Sequence, residues 1–373
     1  MDYYAHTFPN GLRLIHLPAV SPVAYCGYAV RAGSRDELPG EAGLAHFVEH
    51  MLFKGTVKRK AWHILNRMEN VGGELNAYTA KEETLVYSIF MAEHLPRAVE
   101  LLSDLVFHST FPQQEIAKEL DVIRDEIDTY RDTPSELIFD EFENQLFKGH
   151  PLGHSILGED ATLSTFGTES GLSFTRRFYT PENMVFFSMG PQKPERLCRL
   201  LEAGMEGASS GSRNRNEPQP PLVEGSQVRT LRATHQAHVI LGGCAYNMFA
   251  PDRKRYPLYL LNNLLGGPGM NSRLNLSLRE KHGLVYNVES GLTAYTDTGV
   301  ANIYFGTDPK DVEKALQLVR KELAKVRETK LTGLQWAALK KQVAGQLGVA
   351  TDNRENLALG AGKQFLHHDD YEA

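Results

Sequence analysis

Cysteine is scarce in this chain of 373 residues. Cys26, Cys198 and Cys244 are its only thiols, an odd number without the close spacing of a metal-binding knuckle. A disulfide framework is therefore excluded, and buried reduced thiols in a cytoplasmic compartment are expected. Long apolar runs are absent too. No stretch reaches the length of a bilayer span, so no membrane partner is expected. The opening, MDYYAHTFPNGLRL, has neither the basic nor the apolar segment of a secretory signal. Positive charge is not in excess. Forty Lys and Arg against 46 Asp and Glu leave a net charge of −6, which argues against nucleic acid as the main partner. The loop Gly266-Gly267-Pro268-Gly269 lacks a following Lys-Ser/Thr, and Pro268 removes a backbone donor, so no phosphate cradle is expected there. His367-His368 is expected to lie in an exposed tail.

What is present is most distinctive at His46-Phe47-Val48-Glu49-His50, which reads H-x-x-E-H. This inverts the commoner H-E-x-x-H zinc motif. A helix over Gly43 to Leu52 puts His46 and His50 at i and i+4 on one face, where two imidazoles can grip one side of a tetrahedral metal. Glu49 shares that face and can take a proton from water. Ala45, Phe47, Val48, Met51 and Leu52 are apolar, so the helix is expected to be buried, and buried His and Glu need partners. The competing reading is a helical glutamate between two surface histidines.

Catalytic zinc usually takes three protein ligands. The stretch Gln113 to Arg131 has Ile116, Leu120, Ile123 and Ile127 at helical spacing. Glu119 and Glu126, seven apart, project from nearly the same face. Glu126 is a candidate third ligand and Glu119 a candidate supporting group; the alternative is a pair of solvated carboxylates. From Glu115 to Glu143 there are eleven acids against three bases, a local net of −8. Either this field favours basic peptides, or it is a solvated helix face.

The length implies two domains. Gly207 to Pro221, GASSGSRNRNEPQPP, is polar and rich in Gly, Ser and Pro, and is expected to link residues 1–206 to residues 222–373. The halves share one order. Strand-like Val23 to Val30 leads to a helix, then Leu75 to Phe90, then a helix over Leu95 to Phe107. Strand-like Ala237 to Tyr246 leads to a helix from Tyr256, then Tyr286 to Phe305, then a helix over Lys310 to Arg327. Each half is α+β, with strands forming a mostly antiparallel sheet packed with helices. The second lacks H-x-x-E-H, so one metal site per chain follows. The first half continues through strand-like Asn183 to Met189 and a helix near Glu195 to Met205. No counterpart is evident before Ala373, so the second half is expected to be shortened.

With these motifs in hand, the chain resembles the pitrilysin family of inverted-motif zinc peptidases, which includes insulin-degrading enzyme and the mitochondrial processing peptidase. GLAHFVEHMLFKGT (Gly43 to Thr56) is similar to the family signature almost throughout. The resemblance implies one Zn2+ held by His46, His50 and Glu126, with Glu49 as general base and Glu119 as support. It implies that Asn76-Ala77-Tyr78-Thr79 is an edge strand that pairs with substrate. It also implies that Arg279 and Tyr286, in LREKHGLVY, hold the substrate and polarise its carbonyl. On residue type alone these two read as a surface cation and a core aromatic. The family implies a zinc endopeptidase acting on unfolded peptides in an enclosed chamber, and a homodimer, because one chain carries both sets of residues. A non-catalytic relative and a subunit of a heteromeric peptidase are the alternatives.

Overall fold

A computed structural model describes residues 2–208, 210–211 and 220–372, so most of the expected linker lies outside the described residues. The chain is mixed α and β, with two sheets. It divides into two units. The first comprises Met1–Thr129, His154–Asn216 and Asp352–Ala373, and the second Tyr130–Gly153 and Glu217–Thr351.

In the first unit, β1 (Tyr4–Thr7), β2 (Arg13–Pro18), β3 (Val23–Val30), β4 (Glu74–Thr79), β5 (Thr84–Met91) and β6 (Met184–Gly190) form one sheet in the order β1-β2-β6-β3-β5-β4. All pairings are antiparallel except β2 with β6. β4 is therefore an edge, paired on one side only. One face carries the larger core. There α1 (Leu44–Leu52), α2 (Ala61–Glu69), α3 (Leu95–His108) and α4 (Gln113–Arg131) bring Phe47, Val48, Met51, Met68, Leu101 and Ile123 against Cys26, Tyr28 and Val86 of the sheet. α4 appears with the bounds its isoleucine spacing predicts, because a four-turn apolar stripe has only one way to bury itself.

In the second unit, α5 (Pro134–Leu146) precedes α6 (Asp160–Leu163), α7 (Thr168–Phe178) and α8 (Pro194–Gly204) of the first unit in chain order. Its sheet holds β7 (Ala237–Ala245), β8 (Val285–Ala294) and β9 (Gly299–Thr307) in the order β7-β9-β8, all antiparallel. α9 (Asp252–Gly266), α10 (Val312–Glu328) and α11 (Gly333–Ala350) accompany it. Leu265, Leu274, Leu278, Phe305 and Val319 form its core. α5 packs here too, with the Phe139 and Tyr304 rings 5.2 Å apart.

The units differ from the division at 206 and 222 in two places. Residues 130–153 belong to the second unit, and α12 (Arg354–His368) belongs to the first. The reason is the second face of the six-stranded sheet, where Ile15, Leu17, Leu85, Val185 and Phe187 would otherwise meet water. Ala358, Ala361, Phe365 and Leu366 of α12 cover them. His367 is accordingly part of a packed helix, not an exposed tail.

Candidate metal centre

Helix α1 is preceded at its N-cap by Gly43, where φ is +92° and a Cβ would lie 2.7 Å from Gly158 Cα, so there is no room for a side chain. Its first amides are held by one buried carboxylate. Glu37 accepts from the Gly43 amide at 3.0 Å and the Ala45 amide at 2.8 Å, and its Oε2 lies 2.8 Å from His154 Nε2. A carboxylate at a helix N-terminus satisfies orphan donors and complements the dipole. It fixes where the helix starts, and so where each side chain points.

From this fixed start the apolar side chains enter the core, and His46, Glu49 and His50 emerge on one face. The His46 and His50 Nε2 atoms lie 3.1 Å apart. Glu126 reaches across from α4, its Oε2 3.7 Å from His46 Nε2 and 3.5 Å from His50 Nε2. Tetrahedral zinc with bonds of about 2.0–2.1 Å needs its ligand atoms about 3.4 Å apart. The three distances bracket that spacing, and these residues form a group able to hold a metal ion. The donor set, two imidazole nitrogens and one carboxylate oxygen, suits zinc.

The surroundings support His50 more than His46. His50 Nδ1 lies 2.8 Å from Glu119 Oε1, and Lys54 Nζ lies 2.6 Å from the other Glu119 oxygen. A carboxylate behind a ligating imidazole fixes its tautomer and its aim. His46 Nδ1 is buried without a hydrogen-bond partner among the described residues. The two imidazoles are driven apart in basicity. Burial, joined by the charge of His50, lowers the His46 pKa to about 4. Burial opposes charge on His50 as well, but hydrogen bonds with Glu119 and Glu126 outweigh it and raise its pKa to about 9. The hydrogen bond with His50 lowers Glu126.

Glu49 stands beside this triad without belonging to it. Its Oε2 accepts from Thr79 Oγ1 at 2.6 Å. Burial raises its pKa, with the Thr79 bond opposing, which moves the carboxyl toward the range where it can both take and return a proton. Asn76, Ala77, Tyr78 and Thr79 all lie on edge strand β4. The Ala80 amide donates to the Glu83 carbonyl and closes the β4–β5 hairpin. By the alternation of an antiparallel ladder, the backbone groups of Ala77 and Thr79 then point away from β5, toward the open edge.

Arg279 and Tyr286 lie in the second unit. Arg279 sits in a π-helical turn, Asn275–Glu280, and Gly283 at φ +59° ends that segment. Arg279 lines a cavity of about 340 Å³ with Asn262, Asn263, Ser272 and Ser290. Tyr286 is 76% exposed, so it is not the core aromatic that residue type suggests. It falls in an irregularity of β8, where the pairing with β9 skips from Val285 to Val288.

Sequence reasoning missed Glu37, His154 and Lys54, and it gave Thr79 only a substrate role. Lys54 had a signal, standing one helical turn beyond His50. Glu37 and His154 had none, because their pairing is made by tertiary contact.

The family described as "Insulinase (Peptidase family M16)" matches residues 16–160, and the family described as "Peptidase M16 inactive domain" matches residues 168–343. An uncharacterized zinc protease of Bacillus subtilis is 32% identical over 97% of this chain and 87% of its own length. One from Rickettsia bellii is 36% identical over 86% of this chain and 77% of its own. Among solved structures, a peptidase M16 inactive domain from Pseudomonas fluorescens aligns with a TM-score of 0.91 at 20% identity, over 98% of this chain and 88% of that one. A protease from Helicobacter pylori gives 0.89 at 21% identity, over 99% and 90%.

Proposed function

Because the chain belongs to the M16 peptidase family, we propose that it is a zinc-dependent endopeptidase whose reaction centre is the face of α1. The observation that carries this reading is the triangle of His46, His50 and Glu126 donor atoms with Glu49 beside it. One ion per chain follows, held by those three residues with Glu119 behind His50. Zn2+ bound there supplies a Lewis acid that polarises the peptide carbonyl and acidifies water. Glu49 accepts the proton of the attacking water and returns one to the leaving amine. Thr79 holds the Glu49 carboxyl in place while it does so.

The substrate is an extended segment of peptide. β4 offers it unpaired backbone groups, and strand addition gives affinity with little demand on sequence. Such a segment must be unfolded to present its own backbone. The acidic stretch from Glu115 to Glu143 favours basic peptides. Arg279 and Tyr286 supply donors suited to holding the peptide and stabilising a developing oxyanion. Since one chain carries both sets, the reading includes a homodimer in which the pair serves the other copy. Mixing Glu49→Gln and Arg279→Ala chains, each inactive alone, then restores partial activity.

The test is hydrolysis of a mixed library of quenched peptides by the full chain. Cleavage that a chelator abolishes, zinc restores and Glu49→Gln lacks supports the proposal. Zinc bound at one per chain without cleavage of any peptide refutes it and favours a non-catalytic subunit.

A further inference from the structure

The edge strand β4 is clamped from both faces. Leu75 and Ala77 face the α1 side, where they pack against the larger core, and Thr79 on the same face bonds to Glu49. Tyr78 points the other way and packs against the cluster that α12 covers. Lys363 of α12 places its Nζ 5.2 Å from the centroid of the Tyr78 ring and 2.8 Å from Glu83 Oε1. His367, one helical turn on, lies with Nε2 3.3 Å from Glu83 Oε2. Glu83 is itself the residue whose carbonyl closes the β4–β5 hairpin. One carboxylate thus ties the hairpin end to α12 twice, while the lysine between them caps the tyrosine of the strand.

α12 is a firm base for this clamp. Gly362 lets it approach the Phe187 ring so closely that a Cβ there would lie 2.6 Å from a ring carbon. Arg13 Nη1 donates to the Phe365 carbonyl at 3.2 Å, and pairs with Asp369, at the C-terminal end of the helix. Tyr87 of β5 donates to Glu355 at 2.9 Å, near the other end.

An edge strand is hydrogen-bonded on one flank only, so its placement depends on what packs against its two faces. We infer that Lys363 is a positioning residue for the peptide-binding edge: paired with Glu83 and set over Tyr78, it holds β4 where an added strand can pair. This rests on the proposed peptidase reading for its kinetic consequence, though not for its structural one. Lys363 touches neither the reacting atoms nor the metal ligands. It acts through Tyr78, and the residue that shapes the site comes from the far end of the chain.

The test uses the full chain and the variants Lys363→Met, Lys363→Arg and Glu83→Gln. Lys363→Met keeps the aliphatic stem and removes the charge. It should raise KM for extended peptides about three- to tenfold, the range of a cation–aromatic contact with a partner charge, with kcat nearly unchanged. Lys363→Arg should restore KM. Glu83→Gln should raise KM as well, and the double variant Lys363→Met/Glu83→Gln should add little to either. Amide exchange gives a readout that needs no activity. Exchange at residues 74–79 should quicken in Lys363→Met while exchange in α1 stays as it was. A lowered melting temperature with unchanged KM and unchanged β4 exchange would overturn the inference and leave Lys363 a purely structural residue. Absence of peptidase activity in the unaltered chain would count against the proposed function alone, since the exchange result still decides this inference.

Discussion

The two units repeat one frame and fill it differently. In the first, β3 leads to α1, to the β4–β5 hairpin and to α3; in the second, β7 leads to α9, to the β8–β9 hairpin and to α10. The strands pair in the same way, β3-β5-β4 and β7-β9-β8. In both, the helix is tied to the edge strand of the hairpin by side chains. In the first the tie is Thr79 to Glu49. In the second, Asn262 Nδ2 donates to the Ser290 carbonyl at 3.0 Å and Ser290 Oγ donates to the Asn262 carbonyl at 2.9 Å. The amide and the hydroxyl are each satisfied by the other residue's backbone carbonyl. On α1 the corresponding face instead presents His46 and His50 to Glu126 of α4, with His46 Nδ1 buried without a hydrogen-bond partner among the described residues, and the proposed reading places a cation among those three. The frame positions a helix against a strand; the residues on that helix decide whether the result is a backbone tie alone or a tie beside a group of possible metal donors.

The comparison breaks most readily at Glu49. Glu49→Gln should lower kcat by about 10²–10⁴ while metal content stays at one ion per chain. A second ion, by elemental analysis of the purified chain, would mean that the second frame is not metal-free after all.

Acid should separate the units next. His16 is fully buried on β2, and burial holds its pKa at about 4 against 6.5 for a free imidazole. Between those values the unfolded chain binds the proton that the folded one refuses. Stability is therefore present above pH 6.5 and drains away as pH falls toward 4, by at most about 3 kcal/mol. The second unit has no fully buried histidine among its described residues; burial lowers the pKa of half-buried His238 too, so its unfolding should share this loss only in part. Denaturant unfolding at several pH values, with a His16→Leu variant, checks this; an unaltered pH slope in the variant would remove His16 as the cause.

Glu119→Gln sharpens the comparison at the level of support. It leaves the three proposed ligands in place but weakens the group behind His50, and metal affinity should fall about 10- to 100-fold by competition with a chromogenic chelator. The smallest effect is expected in the second frame. Asn262→Ala should cost about 1 kcal/mol in urea unfolding and leave metal content untouched. A loss of metal on that substitution would contradict the separation of roles.

How much of this was legible beforehand follows from where each signal lives. β3 and α4 were read with their observed bounds because their apolar spacing is a local property. The H-x-x-E-H helix was legible for the same reason, and Glu119 and Glu126 because seven residues bring a helix back to the same face. β2 was not read, since it is buried on both faces and shows no alternation. α12 was not read, and only its His367-His368 end was assigned, to an exposed tail, because Gly360 and Gly362 interrupt the helical pattern. Gly362 is there to admit Phe187, a reason visible only once the helix meets the sheet. The bond from Thr79 to Glu49 was out of reach in the same way, as only the folded sheet brings the two together; the Glu37 cap is local but spans six and eight residues of loop with no helical spacing to announce it.

The return of α12 to the first sheet has a consequence for how the protein is made. Residues 1–208 emerge early in synthesis and include all six strands and the whole metal triad. Yet Ile15, Leu85 and Phe187 stay uncovered on one face until residues 354–368 arrive. The contacts of Arg13 with Phe365 and Asp369 span more than 350 positions, so they close a very long loop. The first sheet is thus finished only after Glu217–Thr351 of the second unit has been made. Until α12 is made, the candidate metal ligands sit on a sheet with an exposed apolar face, and a chain broken off before α12 should be sticky and short-lived.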